Sequence, residues 1–246
     1  MRVLVHGITG HMGQIIASLA QSGFSGATLA GGVSPDVQVE ENNNFKSFAT
    51  CNVESDIVVD FSFHGAVKDL MDYCVAKNLP VVVATTGHTE EEKAIIKEAS
   101  ERIPVFYSAN MSIGVATLAD LAKKAAAAFP DADIEIVETH HNRKIDVPSG
   151  TALLLANSIK EARPQSTFNI GRPENGKRTK EEIGIHSVRR GNIAGIHEIL
   201  ISTENETITL KHEAHSRALF AEGALRAASF LIGKEPGLYN MKDMIK

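Results

Sequence analysis

The segment from residue 138 to residue 151 carries the groups with the clearest chemical potential. It reads Glu-Thr-His-His-Asn-Arg-Lys-Ile-Asp-Val-Pro-Ser-Gly-Thr. The adjacent His140 and His141, together with Lys144, place three groups that can carry positive charge and exchange protons close together. Such a cluster repels itself unless an anion lies within it. The segment therefore predicts a site that binds an anion and moves protons.

The end of this segment predicts a helix start that binds anions. Val147 precedes Pro148 and is biased toward extended backbone, and a turn of Ser149, Gly150 and Thr151 follows. Backbone N–H groups at a helix N-terminus favour negative charge, which suits a carboxylate. We expect no metal here, because adjacent histidines point in different directions and no carboxylate–histidine set completes a coordination sphere.

A glycine-rich loop at the first junction between a strand and a helix predicts a dinucleotide site. Glycines in this context allow a tight turn and a close approach of backbone N–H groups to a pyrophosphate. The alternative is a turn whose glycines serve only close packing of helix on strand. The loop consists of Gly7, Ile8, Thr9, Gly10, His11, Met12 and Gly13.

The residues after later strands bear on the cofactor. A nicotinamide-dinucleotide site usually has an acid at the end of the second strand, but Ser34 stands there and Asp36 comes later. The missing acid removes repulsion of a 2′-phosphate, yet no arginine follows, so NAD and NADP both stay open. Small and polar residues end the fourth and fifth strands, where a nicotinamide or an ordinary polar turn would fit equally. They are Ala84, Thr85, Thr86 and Gly87, and Ser108, Ala109, Asn110 and Met111.

Short β-branched runs alternate with helical patterns in the first half of the chain. Near-continuous apolar strands separated by helices predict a Rossmann-like, doubly wound parallel sheet covered on both faces. Thr89 and Glu92 have the spacing of a capping box, and residues 36–52 are predicted to form an irregular crossover. Strands are predicted over residues 3–6, 27–33, 57–61, 81–85 and 105–107, and helices over residues 12–21, 66–77 and 90–102.

The pattern changes after Asn110, where consecutive strands without intervening helices predict a second, α+β domain with a mixed sheet. The fold class is therefore α/β with this added domain. Helices are predicted over residues 113–129, 152–162 and 218–232, strands over residues 133–137, 183–189, 195–202 and 206–212, and a loop over residues 163–180. We predict a dinucleotide-binding domain of residues 1–111 and 217–246 and a substrate-binding domain of residues 112–216.

Composition excludes several classes of protein. The 246 residues carry a formal net charge of −5, which argues against a nucleic-acid binder. No apolar run approaches the roughly 20 residues that span a bilayer, and the N-terminus lacks the apolar core of a signal peptide. Cys51 and Cys74 are expected to be reduced thiols. These features predict a cytoplasmic protein.

Two other classes of protein fit part of the sequence. Tyr73 and Lys77 match the Tyr-x-x-x-Lys pair of short-chain dehydrogenases, but they fall in the helix between the third and fourth strands, where Tyr73 is expected to pack. A dehydrogenase or epimerase of that kind, acting on a nucleotide sugar, leaves the histidine segment unexplained. A redox-sensing regulator would need a DNA-binding module with a basic face, and the sequence shows neither.

The chain resembles the 4-hydroxy-tetrahydrodipicolinate reductase (dihydrodipicolinate reductase) family of bacterial lysine biosynthesis. Residues 138–152 match the family signature Glu-x-His-His-x-x-Lys-x-Asp-x-Pro-Ser-Gly-Thr-Ala. Residues 182–189, 195–198 and 212–217 resemble its second-domain segments, and the glycine loop, residues 60–62 and residues 85–87 fall in the family order. The chain departs from the family where Ala84 replaces a glycine and where Ser34 and Pro35 replace an acid–base pair.

The resemblance implies reduction of a small cyclic imine dicarboxylate, 4-hydroxy-tetrahydrodipicolinate, to tetrahydrodipicolinate with NADPH or NADH. It implies that His140 is the general acid/base, that Lys144 is the proton donor, and that the enzyme is a homotetramer built through the sheet of the second domain. The implied substrate ligands are His141, Lys144, Ser149, Gly150 and Thr151. The implied cofactor contacts are Gly7, Ile8, Thr9, Gly10, His11, Met12, Ser34, Ala84, Thr85, Thr86, Ser108, Ala109, Asn110 and Met111.

Overall fold

The computed structural model describes residues 1–245 and divides them into two compact units. The first unit comprises residues 1–112 together with the chain from residue 218 onward, and the second comprises residues 113–217. These limits lie one residue from the predicted domain boundaries. The assignment of dinucleotide binding to one unit and substrate binding to the other stays a prediction.

The order of elements alternates strands and helices before residue 129 and groups the strands after it. The strands are β1 (Arg2–His6), β2 (Thr28–Val33), β3 (Asn44–Phe45), β4 (Ile57–Asp60), β5 (Val81–Val83), β6 (Pro104–Tyr107), β7 (Asp133–His140), β8 (Thr167–Ile170), β9 (Glu182–Arg189), β10 (Gly195–Ser202), β11 (Thr207–Ala214) and β12 (Gly237–Tyr239). The helices are α1 (His11–Gln21), α2 (Val67–Lys77), α3 (Glu90–Ser100), α4 (Ile113–Ala128), α5 (Gly150–Ala162), α6 (Ala218–Leu231) and α7 (Met241–Met244).

The first unit is built on a seven-stranded sheet in the order β12-β6-β5-β4-β1-β2-β3, in which every pair is parallel. Strands β4 and β5 are buried along their whole length, as strands with helices on both faces must be. The predicted capping box of α3 is confirmed. The Thr89 hydroxyl accepts from Glu92 N at 3.2 Å, and the Glu92 carboxylate accepts from Thr89 N at 2.8 Å.

The second unit is built on a five-stranded mixed sheet in the order β11-β10-β7-β9-β8. The central strand β7 is antiparallel to β10 and parallel to β9. Helices α4 and α5 pack together, and their apolar side chains form one core with the inward-facing isoleucines of the sheet. The predicted fold class, a Rossmann-like parallel sheet plus a unit with a mixed sheet, is confirmed.

Five short or polar elements differ from the sequence predictions. Strand β7 continues through His140 instead of ending at Val137, because its polar end still pairs with β10 and β9. The predicted loop over residues 163–180 contains β8, and the crossover over residues 36–52 contains β3. Strand β12 and helix α7 were not predicted. The short strands were missed because a segment of so few residues is too short to show a clear hydrophobic period.

None of the helices within residues 1–245 is both long and apolar enough to span a bilayer. The cytoplasmic location stays a prediction.

Candidate functional site

The glycine loop of the first unit requires glycine at two positions. Gly7 has a φ of +85°, and a Cβ there would collide with the carbonyl oxygen of Phe61. A Cβ on Gly13 would collide with the carbonyl oxygen of Gly7. The Gly7 N–H donates to Val33 O at 2.8 Å, which ties the loop to the end of β2. The loop is therefore a tight turn against which α1 packs closely.

The start of α1 fits the pyrophosphate of a dinucleotide. Gly10 is the N-cap residue and supplies no side-chain acceptor, and the first turn contains no acidic residue. The first N–H groups of a helix have no partner within the helix, so an anion can accept from them. Gly7, Gly10 and Gly13 themselves contribute no side chain to this turn. The predicted cofactor contacts of the loop stay predictions, and the geometry fits them.

Ser34 lies at the end of β2 and is 3% exposed. Its Oγ lies 2.7 Å from Thr9 Oγ1, and it accepts from Asp36 N at 3.4 Å. The two hydroxyls therefore bond each other across the loop. A direct contact between Ser34 and the cofactor stays a prediction, and the side chain also has this structural role.

The residues after β5 and β6 build turns at the carboxyl edge of the sheet. Thr85 is 6% exposed, and its Oγ1 accepts from Ser62 N at 2.8 Å, whereas Thr86 is exposed. Ser108 Oγ donates to Asn110 O at 2.7 Å. Met111 is 2% exposed and belongs to the core, and its contact with a cofactor stays a prediction. These positions lie where doubly wound sheets bind ligands.

The second unit buries a carboxylate beside the predicted catalytic histidine. Glu138 is 0% exposed, and its Oε2 accepts from His140 Nδ1 at 2.5 Å. Arg189 donates to both oxygens of the same carboxylate, at 2.8 and 2.7 Å. Ser149 N donates to Glu138 Oε1 at 3.2 Å. One buried group thus connects β7, β9 and the start of α5.

The surroundings of Glu138 keep it ionised. Burial favours the neutral acid, but the hydrogen bonds from His140 and Arg189 outweigh it and hold the pKa of Glu138 well below its ordinary value. A carboxylate that accepts from four N–H groups has no proton of its own to share. Its partner His140 is therefore the donor, through Nδ1.

A second buried histidine lies next to the first. His197 is 4% exposed, and its ring lies 5.1 Å from that of His140, edge to face. Its Nε2 lies 3.1 Å from Ser149 Oγ. Burial first, and then the neighbouring charge of His140, lower the pKa of His197 to about 3. His197 is therefore neutral near pH 7.

The register of the sheet places the polar residues in a row on the face that α4 and α5 cover. Glu138 lies opposite Ser187 of β9 and His197 of β10, and His197 lies opposite His212 of β11. This polar row lies next to the inward-facing isoleucines of the same strands and forms the edge of the apolar core of the second unit. A Cβ on Gly195 would lie 3.1 Å from His140 Nε2, so glycine leaves this nitrogen room.

The predicted turn at residues 149–151 does start a helix. Ser149 is the N-cap of α5, and its Oγ accepts from Ala152 N at 3.2 Å. Since this hydroxyl also bonds His197 and the Ser149 N–H bonds Glu138, both groups serve the protein itself. Gly150 is exposed, and the first turn has no acidic residue. The helix start at Gly150 and Thr151 fits a carboxylate.

The remaining cations surround the loop between β7 and α5. Lys144 Nζ lies 2.7 Å from Asp146 Oδ1. His141 Nε2 lies 3.5 Å from a guanidinium nitrogen of Arg217. Burial lowers the pKa of His141, and the charges of Arg143 and Arg217 lower it further. The positive charges of Arg143, Lys144 and Arg217 would favour a bound anion here, and the predicted anion site stays a prediction.

Four residues of this site had no predicted role: Glu138, Arg189, His197 and Arg217. Each falls within a segment that resembles the family, so the sequence contained a signal. Its meaning was hidden because Arg189 and Glu138 lie 51 residues apart and meet only through the pairing of β7 with β9.

Both halves of the chain match the same known family. The family model described as "Dihydrodipicolinate reductase, N-terminus" matches residues 1–111, and the model described as "Dihydrodipicolinate reductase, C-terminus" matches residues 114–245. The chain belongs to the dihydrodipicolinate reductase family. The predicted family, its oxidoreductase class and NADH or NADPH as its cofactor are thereby confirmed.

Full-length relatives carry the corresponding name. The chain is 43% identical to the 4-hydroxy-tetrahydrodipicolinate reductase of Caldanaerobacter subterraneus subsp. tengcongensis, over all of this chain and 98% of the relative. It is 44% identical to that of Clostridium tetani, over all of this chain and 97% of the relative.

Solved structures agree with this membership. A dipicolinate-bound dihydrodipicolinate reductase from Paenisporosarcina has a TM-score of 0.81 at 25% identity, with 100% of this chain and 99% of that chain covered. A probable dehydrogenase from Thermotoga maritima shares the fold, with a TM-score of 0.61 at 13% identity over 99% of this chain and 92% of that chain.

The buried, neutral His197 predicts a loss of stability in mild acid. Between its ordinary pKa of 6.5 and the folded value of about 3, only the unfolded chain takes up the proton. Stability is therefore lost as the pH falls through this window and is unaffected above it. From pH 7 to pH 5 the group costs about 2 kcal/mol of unfolding free energy. In His197→Gln we expect this part of the loss to disappear.

Urea unfolding followed by circular dichroism at pH 7 and pH 5 measures this difference. The exposed His215 offers a matched control, and His215→Gln is expected to keep the wild-type loss. An equal loss in His197→Gln and in the wild type would contradict the assignment.

Proposed function

We propose that the chain catalyses the NADPH- or NADH-dependent reduction of 4-hydroxy-tetrahydrodipicolinate to tetrahydrodipicolinate in the diaminopimelate and lysine pathway. The observation that carries the proposal is the buried Glu138–His140 pair beside the N-terminus of α5, in a chain whose two halves both match this reductase family. The names of its full-length relatives and the dipicolinate bound in a structural neighbour support a small cyclic dicarboxylate as the substrate.

The first unit is proposed to hold the dinucleotide. A bound nicotinamide supplies a hydride, so the protein must bind, orient and protonate. Within the loop from Gly7 to Met12, the backbone N–H groups at the start of α1 would donate hydrogen bonds to the pyrophosphate, and the turns after β5 and β6 would surround the nicotinamide. Because neither Ser34 nor its neighbours settle the ribose contacts, both NADH and NADPH stay in the proposal.

The second unit is proposed to hold the substrate and move the proton. With Nδ1 donating to Glu138, the Nε2 of His140 is the atom that can present a proton to the reduced substrate. Lys144 would be a second donor once its ammonium leaves Asp146. The positive charge of Lys144 would offset the substrate carboxylates and the electron density that hydride addition brings, and His141 would donate a hydrogen bond to a carboxylate.

The start of α5 is proposed to bind one substrate carboxylate. The N–H groups of Gly150 and Thr151 lie in the first turn, where the helix favours an anion. The predicted contact of Ser149 with the substrate stays a prediction. Its bonds to Glu138, His197 and Ala152 also give it the task of shaping this turn.

The direct test of the reaction is oxidation of the reduced dinucleotide. We expect the absorbance of NADH or NADPH to fall when the enzyme receives the freshly made aldolase product of pyruvate and aspartate semialdehyde. A nucleotide sugar serves as the control substrate and should give no change. Calorimetry with each dinucleotide measures cofactor binding independently of turnover. Tight binding without oxidation of either cofactor would contradict the proposed substrate and leave the dinucleotide site standing.

The roles of His140 and Lys144 predict large losses of turnover. We expect His140→Gln and Lys144→Ala each to lower kcat by roughly 10²- to 10⁴-fold, which is typical of a lost general acid. The exposed Lys124, paired with Asp120 on α4, is the matched control, and Lys124→Ala should leave kcat unchanged. Near-normal kcat in both site variants would contradict the assignment.

A homotetramer built through the five-stranded sheet is part of the proposal. Strand β11 is a sheet edge, and strand alternation puts Val137, Val188, Ile196 and Leu200 on the face away from α4 and α5. Sedimentation velocity should give the mass of four chains, and Leu200→Glu should shift it to smaller species. A monomeric wild type would contradict this part of the proposal.

A further inference from the structure

We propose that Glu138, clamped by Arg189, is a positioning residue that fixes which nitrogen of His140 carries the proton and in which direction that nitrogen points. The inference deepens the proposed function and rests on it for the role of His140. The positions of the protons on Glu138 and His140 follow from the contacts of Glu138 alone.

The hydrogen bonds of Glu138 leave one possible pattern of protons. Its Oε1 accepts from Ser149 N at 3.2 Å and from Arg189 at 2.7 Å. Its Oε2 accepts from Arg189 at 2.8 Å and lies 2.5 Å from His140 Nδ1. The backbone N–H and the guanidinium can only donate, and the charged guanidinium on both oxygens keeps the carboxylate ionised, so the fourth partner also donates. In neutral His140 the hydrogen is therefore on Nδ1, and Nε2 carries the lone pair.

Arg189 prevents Glu138 from taking the proton of His140. Its planar guanidinium binds both carboxylate oxygens, which neutralises the charge and lowers the basicity of the carboxylate. The same guanidinium donates to the carbonyl of Asp146 at 2.7 Å. Arg189 thus holds the carboxylate and the loop that carries Lys144 in one arrangement.

The groups that face His140 from the neighbouring elements do not compete with Glu138 for Nδ1. Arg189 on β9 and Lys144 in the loop are cations and accept no hydrogen bond. His197 on β10 uses its Nε2 for Ser149 Oγ and is neutral near pH 7. The remaining titratable groups are His141, which follows His140 along the chain, and His212 on β11, which lies opposite His197.

The free nitrogen of His140 has room on one side because residue 195 is glycine. A Cβ there would lie 3.1 Å from Nε2, which is tighter than ordinary packing. The carboxylate therefore holds Nδ1 by a hydrogen bond, and the glycine leaves space beside Nε2. A flip of the ring by 180° would exchange Nδ1 with Cδ2 and Nε2 with Cε1, and would leave the Glu138 oxygen facing a carbon.

The test is Glu138→Gln, which keeps the size of the side chain and removes its charge. The amide can donate as well as accept, so both tautomers of His140 become possible. Without the negative charge, the cationic imidazole is also less favoured. We expect kcat to fall at least 100-fold with KM within about threefold, and its alkaline limb to move to lower pH by about one unit or more.

Nitrogen-15 NMR of labelled histidines reports the tautomer without turnover. The His140 signals, assigned with His140→Gln, should show a protonated Nδ1 and an unprotonated Nε2 in the neutral wild-type ring. In Glu138→Gln they should show a mixture or the opposite tautomer. A wild-type spectrum with the hydrogen on Nε2, or an unchanged tautomer and pH profile in the variant, would overturn the proposal.

Two further variants keep the result interpretable. Glu138→Gln combined with Arg189→Gln avoids a buried unpaired cation, so it covers the case in which the single variant does not fold. Glu135→Gln is the matched control, because Glu135 on the same strand binds His186 and Arg172. It should leave the His140 signals unchanged. If the wild type lacks reductase activity, the proposed function fails, while the NMR result still decides the positioning role.

Discussion

A negative charge sealed inside the second unit is the constraint on which the rest of the site depends. An isolated carboxylate with no exposure to water would be strongly destabilising, so Glu138 is tolerated only while Arg189, His140 and Ser149 all donate to it. These donors come from β9, from β7 itself and from the start of α5. Correct folding of the unit and assembly of the chemical groups are therefore the same event.

The two units meet their tasks by opposite means. In the first, the ligand-binding surface is created by leaving side chains out: Gly7 and Gly13 stand where a Cβ would strike the backbone. In the second, it is created by concentrating charge, with a buried acid inside and lysine, arginine and histidine around it. A single added methyl group at Gly7 or Gly13 would disrupt the binding surface of the first unit, whereas loss of a single charge would disrupt that of the second unit.

The structure agrees with the sequence predictions where interactions between residues close in the chain decide the fold. The apolar strands β4 and β5, the capping box at Thr89 and the helix start at Ser149 depend on neighbours in the chain, and all three were predicted. The roles of Glu138, Arg189 and His197 depend on strand pairing between distant segments, which residue spacing does not encode. Strand β8 was missed for a related reason, since a four-residue edge strand with no fully buried side chain shows little pattern.

The polar row across the second sheet has a consequence for how finely the site can be adjusted. Side chains on a strand alternate between faces, so sliding β7 by one residue would turn Glu138 and His140 outward and bring Thr139 in. Intermediate positions do not exist, because the backbone hydrogen bonds are made in whole steps. The register of β7 against β9 and β10 therefore decides whether the acid and the histidine face the core or the opposite side of the sheet.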